Sequence, residues 1–567
     1  MPTAMKTPGV YIREQDAFGN SVVPVPTAIP AFIGYTAQTS FNGKSLIGKA
    51  VKITSLSEYL AIFGDTAPPF KFSVTAVAED KTAGGDKGAD PAPAAPQPDI
   101  ILNDNDGYNV AMESVNFRLY AAMKFFYQNG GADCYVMTIG SYMADEASLV
   151  SDDFTKAIEY LKKEMEPTML VIPDAVGLDA GVETEDIGQR FAGAYSLQEA
   201  MITHCGEMTN RVAILDIPGG YSEPETDPIQ SVEAFRDNVS AGIPKHNSYA
   251  AAYYPWLHTT VYQPTEVSID NVDDASKSVI QTIINKEFGL ADTATKAGKD
   301  DPKGEGGKPN PKSKAEDKLK SIISNLVATG TGDGTATAET DAADTTEADK
   351  VAADLTLKNL SKSYKMIMDH IRESLNLIPP SAAIAGIYTA VDNNEGVWVA
   401  PANVGVQGVI APSINIDHHG QEDLNMPLDG KSVCAIRAFT GRGVLVWGAR
   451  TLDGNSNDWR YVNVRRTLIY LEQSVKEAAK AYVFAPNDGS TWVNVKSMIS
   501  NFLINFWKQG GLVGPTPADA FSVNVGLGST MTGDDVLNGI MRVSVKVAVS
   551  RPAEFIEITF QQEMQKA

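Results

Sequence analysis

Two apolar segments near the middle of the chain end in the same way. Met169-Leu170-Val171-Ile172 stops at Pro173-Asp174, and Arg211-Val212-Ala213-Ile214-Leu215-Asp216 stops at Ile217-Pro218. Short apolar runs closed by proline punctuation read as strands, and Ser248 to Leu257 supplies a third. Phe154 to Met165 and Phe191 to Met201 carry amphipathic helical spacing between them. Strands alternating with helices predict a mainly parallel sheet and an α/β fold, α+β over the whole chain.

The rest of the chain alternates between dense and thin stretches. Residues 66–109 hold Pro68, Pro69, Pro91, Pro93, Pro96 and Pro98 among Gly, Ala and Asp, the composition of a loop insertion. From Leu290 through Ser363 there is no aromatic residue; Lys299 to Lys320 is lysine-rich and Asp333 to Asp354 acid-rich. Such a stretch reads as a mobile surface insertion, with a short helix at Asp317 to Val327. The last third is denser and holds Trp398, Trp447, Trp459, Trp492 and Trp507. There Val464, Leu468, Leu471, Val475, Ala479 and Tyr482 mark one face of a long helix. A second helix starts near Ser490 as N-cap and ends at Gly510-Gly511, with Lys508 in its last turn. Val543, Val545, Val547 and Val549 then alternate with less apolar residues, as in a half-buried strand.

At 567 residues the chain exceeds a single hydrophobic core, and its hydrophobic content of 43% is that of a globular protein. A net charge of −23 repels phosphates and excludes a general nucleic-acid binder. Cys134, Cys205 and Cys434 are widely spaced and odd in number, so neither a disulfide framework nor a zinc site is expected. No apolar run reaches the ~18 residues of a membrane-spanning helix. Thr7-Pro8-Gly9 follows the first residues where a signal peptide would place its apolar region, so synthesis in the bacterial cytoplasm is expected.

Both ends carry strand patterns. Phe555-Ile556-Glu557-Ile558-Thr559-Phe560 alternates near the C-terminus, and Val10-Tyr11-Ile12 follows Pro8-Gly9 at the other end. Pro24, Pro26 and Pro30 keep the N-terminal stretch extended. Strands on proline-punctuated arms either pair within their own domain or add to the sheet of a neighbour.

The residues at these ends resemble a known family. Pro8-Gly9-Val10-Tyr11-Ile12, with Val25-Pro26-Thr27-Ala28-Ile29-Pro30-Ala31-Phe32-Ile33-Gly34, is similar to the start of contractile tail sheath proteins. Further blocks in order are Phe125-Phe126 with Asn129 to Val136, Gly396 to Asn403, Trp447 to Thr451, Tyr461 to Arg466, and Arg551 to Ile556. The two thin insertions lie outside the resemblance. It implies a structural, non-enzymatic subunit of a contractile sheath, assembled in six-fold rings around an inner tube and contracting to drive that tube through a target envelope. Its implied partners are copies of itself, the tube protein, and baseplate and terminal cap proteins, with no nucleic acid, membrane insertion or cofactor. The implied architecture has an N-terminal arm (1–30), a core domain from 31–140 and 396–550, an inserted outer α/β domain (141–395), and a C-terminal arm strand (551–567). The terminal arms, Val10, Tyr11 and Ile12 with Phe555, Ile556, Ile558 and Phe560, would complete sheets in neighbouring subunits. Whether the particle is a phage tail, a bacteriocin or an extracellular injection system stays open.

Arg465, Lys476 and Lys480 lie at spacings that line one exposed helical face, with Glu472 among them, and form a candidate contact to the tube or a neighbour. An ordinary solvated face is the competing reading. Elsewhere chemistry is thin. Gly43-Lys44-Ser45 lacks the first glycine of a phosphate loop, where Gln38 stands. Asp104, Asp106, Gly107 and Glu113 fit a calcium loop except that Leu102 occupies its first position. Asp417-His418-His419 has no accompanying ligand cluster, and His204-Cys205 is a sequence neighbourhood only. The alternatives to a sheath are an α/β enzyme with ligands at Asp174 and Asp216, and a surface adhesin using the long insertion.

Overall fold

The computed structural model describes residues 22–77, 98–102, 106–178, 186–221, 230–290, 311–327 and 347–559. Its centre is a nine-stranded sheet. The strands are β1 (Pro30–Thr36), β2 (Ala50–Ile53), β3 (Cys134–Ser141), β4 (Met169–Val171), β5 (Val212–Asp216), β6 (Ala250–Tyr254), β7 (Val404–Gly405), β8 (Val433–Phe439) and β9 (Gly443–Val446), in the order β7-β9-β8-β6-β5-β4-β1-β3-β2. The six strands from β8 to β3 are mutually parallel, and antiparallel strands close both edges. β1, β5 and β6 are buried at every residue, as a parallel sheet covered on both faces requires.

Helices supply the cover. α1 (Leu119–Gln128) packs with α4 (Ser381–Asn394), and α2 (Ser151–Leu161) packs with α3 (Ala192–Met208). The α1–α4 contact is close because Gly386 has no side chain: a Cβ there would stand 2.6 Å from the Phe126 carbonyl oxygen.

β4, β5 and β6 come from the segment expected as an inserted outer domain, yet they sit between β1 and β8 in one sheet. Two expected insertions also do more than project. Over 66–109 and the three residues beyond, Phe72–Ala76, Ile100–Leu102 and Asp106–Met112 pair into a three-stranded sheet that buries Phe72, Val74 and Val110; residues 78–97 and 103–105 lie outside the described residues. Within 290–363, the helices Pro311–Val327 and Glu347–Leu360 bury Ile323, Leu326, Ala353 and Leu357 in the main core. A stretch without aromatics can still present aliphatic residues at helical spacing, and the expectation of a purely solvated insertion is corrected on that ground.

A second, smaller core lies in the last hundred residues. α6 (Val462–Ala479) crosses from the sheet body to α7 (Gly489–Lys508), and β10 (Phe521–Val525) pairs with β11 (Val543–Val547) as an antiparallel ribbon. Val495, Ile499, Phe502 and Phe506 form the apolar stripe of α7, joined by Leu471 and by Val22 from the N-terminal stretch. The N-cap of α7 is Asp488, whose side chain accepts from the Thr491 amide, rather than Ser490.

Candidate functional site

Both ends of the described chain are fastened by arginine. At the N-terminal side, Val25 N donates to Ser474 Oγ at 3.2 Å. Arg466 Nη2 donates to the Thr27 carbonyl at 3.0 Å. The same guanidinium grips Asp392 through two hydrogen bonds, 2.8 and 2.6 Å, with both side chains almost wholly buried. Burial holds the Asp392 carboxyl above its ordinary value, and Arg466 offsets only part of that rise.

The C-terminal side is held at Glu554. Its carboxylate accepts from Arg450 Nε at 2.9 Å and Nη2 at 2.5 Å, from Asn425 Nδ2 at 2.8 Å and from the Tyr461 hydroxyl at 3.0 Å. Burial acts to raise the Glu554 carboxyl, but these donors outweigh it and hold the group below the usual carboxylate range. Arg450 follows β9, Asn425 ends α5 (His418–Asn425) and Tyr461 precedes α6, so three elements converge on one acceptor.

Immediately beyond this clamp the chain changes character. Phe555, Ile556 and Ile558 are exposed, and none lies in a strand. A groove of about 800 Å³ opens beside the clamp, lined by Trp447, Met426, Phe555 and the α5 residues His418 and His419. Val10, Tyr11, Ile12 and Phe560 lie outside the described residues. Each edge of the β10–β11 ribbon lacks a further strand partner among the described residues.

Two family profiles cover the region that builds this clamp. Residues 319–452 match the phage tail sheath protein central domain, and residues 455–563 match the phage tail sheath C-terminal domain. From residue 319 onward the chain resembles phage tail sheath domains. The tail sheath protein of Vibrio phage KVP40 is 24% identical over 167 residues, 29% of this chain and 24% of that protein. The chain therefore matches about a quarter of that relative's length. Solved structures share the fold along nearly the whole chain. The PVC sheath complex of an extracellular contractile injection system, in its contracted state, has a TM-score of 0.53 at 24% identity, covering 99% of both chains. The anti-feeding prophage helical sheath, also contracted, has a TM-score of 0.53 at 22% identity over 99% of this chain and 100% of that one. The anti-feeding prophage baseplate in its contracted state gives 0.56 at 20%, with the same coverage. The sheath central domain begins at residue 319, inside the stretch that sequence alone set outside the resemblance.

In the sheath C-terminal domain the candidate contact face divides. Lys476 and Lys480 are exposed, and Lys480 pairs with Glu477 at 2.7 Å. Arg465 is not on that face: it is buried, with its guanidinium 3.5 Å from the Trp459 ring centroid and 4.1 Å from that of Tyr249, and Nη2 donates to Ser248 Oγ at 2.6 Å. The first turns of α6 are buried on every side, Val462 to Thr467 without a break, so positions that a one-sided helix would expose are enclosed. Arg465 thus ties the start of α6 to the segment that leads into β6.

The residues of the enzyme reading are internally engaged. Asp216 accepts from Ser381 N at 2.7 Å and Ser381 Oγ at 2.5 Å, and burial pushes its carboxyl up to about 7. Asp174 accepts from the Arg118 amide at 2.5 Å, and burial raises it to about 6. Gly34 makes room for it, since a Cβ there would stand 2.6 Å from Asp174 Oδ2. Asp417 caps α5 through the Gly420 amide at 2.6 Å, leaving His418 and His419 exposed. Gly43 and Lys44 belong to a hairpin turn, Asp106 pairs with Lys286, and Asp104 lies outside the described residues. His204 and Cys205 are buried; burial lowers the imidazole to about 4 and raises the thiol to about 12. Among the described residues no three His, Cys, Asp or Glu side chains gather to hold a metal ion, and no helix is long and apolar enough to cross a membrane.

Sequence reasoning quoted Arg450, Glu554 and Arg466 as parts of blocks without seeing their partners. The signal was the proximity of an arginine or a glutamate to strand and arm boundaries, which names a charge but not its counterpart.

Proposed function

We propose that this chain is the structural subunit of a contractile sheath, assembling in six-fold rings around an inner tube and shortening to drive that tube through a target envelope. The observation that carries the reading is the clamp at Glu554: the chain is pinned by four hydrogen bonds and then leaves as an exposed apolar arm. An arm held at its root and unpaired beyond it is suited to adding a strand to another copy. The β10–β11 ribbon, which packs on α7 through Val523 and has only two strands, would be the acceptor, its open edge offering backbone groups to a third strand. On this reading Val10 to Ile12 donates in the same manner from the other end.

A donated strand contributes about 1 kcal/mol net per backbone hydrogen bond and about 1.5–3 kcal/mol for each buried apolar side chain. Contraction then needs only contact area that grows between two states: about 400 Å² of apolar gain per subunit releases at most about 10 kcal/mol. Leu428, Phe484 and Leu537 are largely exposed and would lie in such contacts. The core from 31–140 and 396–550 would face the tube, with parts of 141–395 projecting outward, and Lys476 and Lys480 would serve as a screened, releasable contact. Tube, baseplate and cap proteins are the expected partners, in a phage tail or an extracellular tail-like particle made in the bacterial cytoplasm.

Negative-stain electron microscopy of the full chain tests the assembly. Hollow striated tubes or six-fold rings that disappear on deletion after Glu554, which leaves the clamp in place, support the sheath and its donated strand. Tubes that survive the deletion remove the C-terminal arm from the proposal, and a chain that never joins a tail-like particle removes the sheath.

A further inference from the structure

The strand order places a reversal between β1 and β4. The chain passes from β1 to β3 on one side, then returns to β4 on the other and continues outward through β5, β6 and β8. In open parallel sheets the crevice at the carboxyl ends of the strands beside such a reversal is where ligands bind. A cavity of about 420 Å³ lies there. Its walls come from the segments that follow four successive carboxyl ends: Leu149 after β3, Gly177 after β4, Tyr221 after β5 and Trp256 after β6.

Arg118 reaches into this cavity. Its Nη1 donates to the Asn116 carbonyl at 3.0 Å and its guanidinium lies 5.1 Å from the Trp256 ring centroid. Among the described residues its enclosed Nε has no hydrogen-bond partner, and no carboxylate stands within 4.0 Å of the guanidinium. A second guanidinium, that of Arg190, sits exposed on the rim, also outside any ion pair among the described residues. The carboxylate on the wall, Glu113, is engaged by Ser73 Oγ at 2.5 Å. In a chain of net charge −23, Arg118 and Arg190 both line one crevice with no ion pair among the described residues; the buried Asp174 and Asp216 act on Arg118 only from beyond ion-pair distance. Tyr221 and Trp256, with ring centroids 4.8 Å apart, add flat apolar surface beside the charges.

We propose that this crevice binds a small phosphorylated ring compound of the nucleotide class, with the phosphate on Arg118 and Arg190 and the ring against Tyr221. The cavity falls within the range of small-molecule sites, roughly 300–1,000 Å³. With Nε enclosed and Nη1 on the Asn116 carbonyl, Arg118 would meet a phosphate through its outer guanidinium nitrogens, a planar contact that a lysine does not reproduce. The ligand would bridge segments from β4, β5 and α1 and so brace the sheet body, a role independent of the terminal arms.

Isothermal titration of the full chain with AMP, adenosine and inorganic phosphate tests this. The expected result is one AMP per chain, with adenosine and phosphate each weaker by about tenfold or more, and with R118K and R190A each weakening AMP by at least about tenfold. R190A alters an exposed side chain and keeps the test valid should R118K disturb folding. Absence of AMP binding at millimolar concentration, or binding indifferent to R190A and to a folded R118K, would overturn the site. Phosphate binding as tightly as AMP would overturn the ring contact.

Discussion

Arg450 and Glu554 meet across 104 residues of sequence, with Nε on Oε1 at 2.9 Å and Nη2 on Oε2 at 2.5 Å. The arginine is almost fully buried, and the glutamate is followed by the exposed Phe555, Ile556 and Ile558. A fork of this kind fixes direction as well as position, so the arm leaves the body along one line.

The pair is expected to be coupled. In a double-mutant cycle of R450A and E554A measured by urea unfolding, the interaction energy should be about 1–3 kcal/mol. A value near zero would mean that Asn425 and Tyr461 hold the arm root without the arginine.

The arm beyond the clamp should matter to assembly and not to folding. I556D and I558D change exposed residues that make no strand in the single chain, so each should shift unfolding by no more than about 0.5 kcal/mol. Tubes or rings should nevertheless be lost in electron micrographs. A matching loss of thermal stability would show that the arm packs on its own subunit.

Arg466 and Asp392 should behave as a buried pair. R466A strands a carboxylate that has no exposure and should cost about 3–5 kcal/mol of unfolding free energy. R466K should recover only part, because a lysine cannot give Asp392 two parallel bonds and still reach the Thr27 carbonyl. Equal stability of R466K and wild type would contradict the two-point geometry.

Asp216 gives a pH dependence with a definite sign. Burial raises its folded-state carboxyl from an ordinary value near 3.8 to about 7. Between those values the unfolded chain has released a proton that the folded chain keeps, so stability falls as pH rises and levels off above about 7. The penalty is at most about 4 kcal/mol. D216N has no such proton, so its stability relative to wild type should grow between pH 4 and 7 in urea unfolding measured at each pH. A difference that stays constant with pH would show that Asp216 ionises normally.

Much of this protein was legible in one dimension, because short-range periodicity needs no knowledge of neighbours. The strands at Met169–Val171 and Val212–Asp216, the helix Val462–Ala479 and the strand Val543–Val547 follow from spacing and proline punctuation alone. The arm residues Phe555, Ile556 and Ile558 stand out in the same way, as strand-forming residues that the single chain leaves outside its strands.

Tertiary structure decided the rest, for one physical reason: burial depends on what lies on every side of an element, whereas periodicity describes the element by itself. Arg465 has the spacing of a solvated face, yet the first turns of α6 are buried on every side and enclose it against Trp459 and Tyr249. Ile323 and Leu357 sit in a composition typical of loops, yet their helices close over the main core. The clamp at Glu554 needs Asn425, Arg450 and Tyr461 from three separate elements, and only their convergence makes a charged residue near the chain end into the root of an arm.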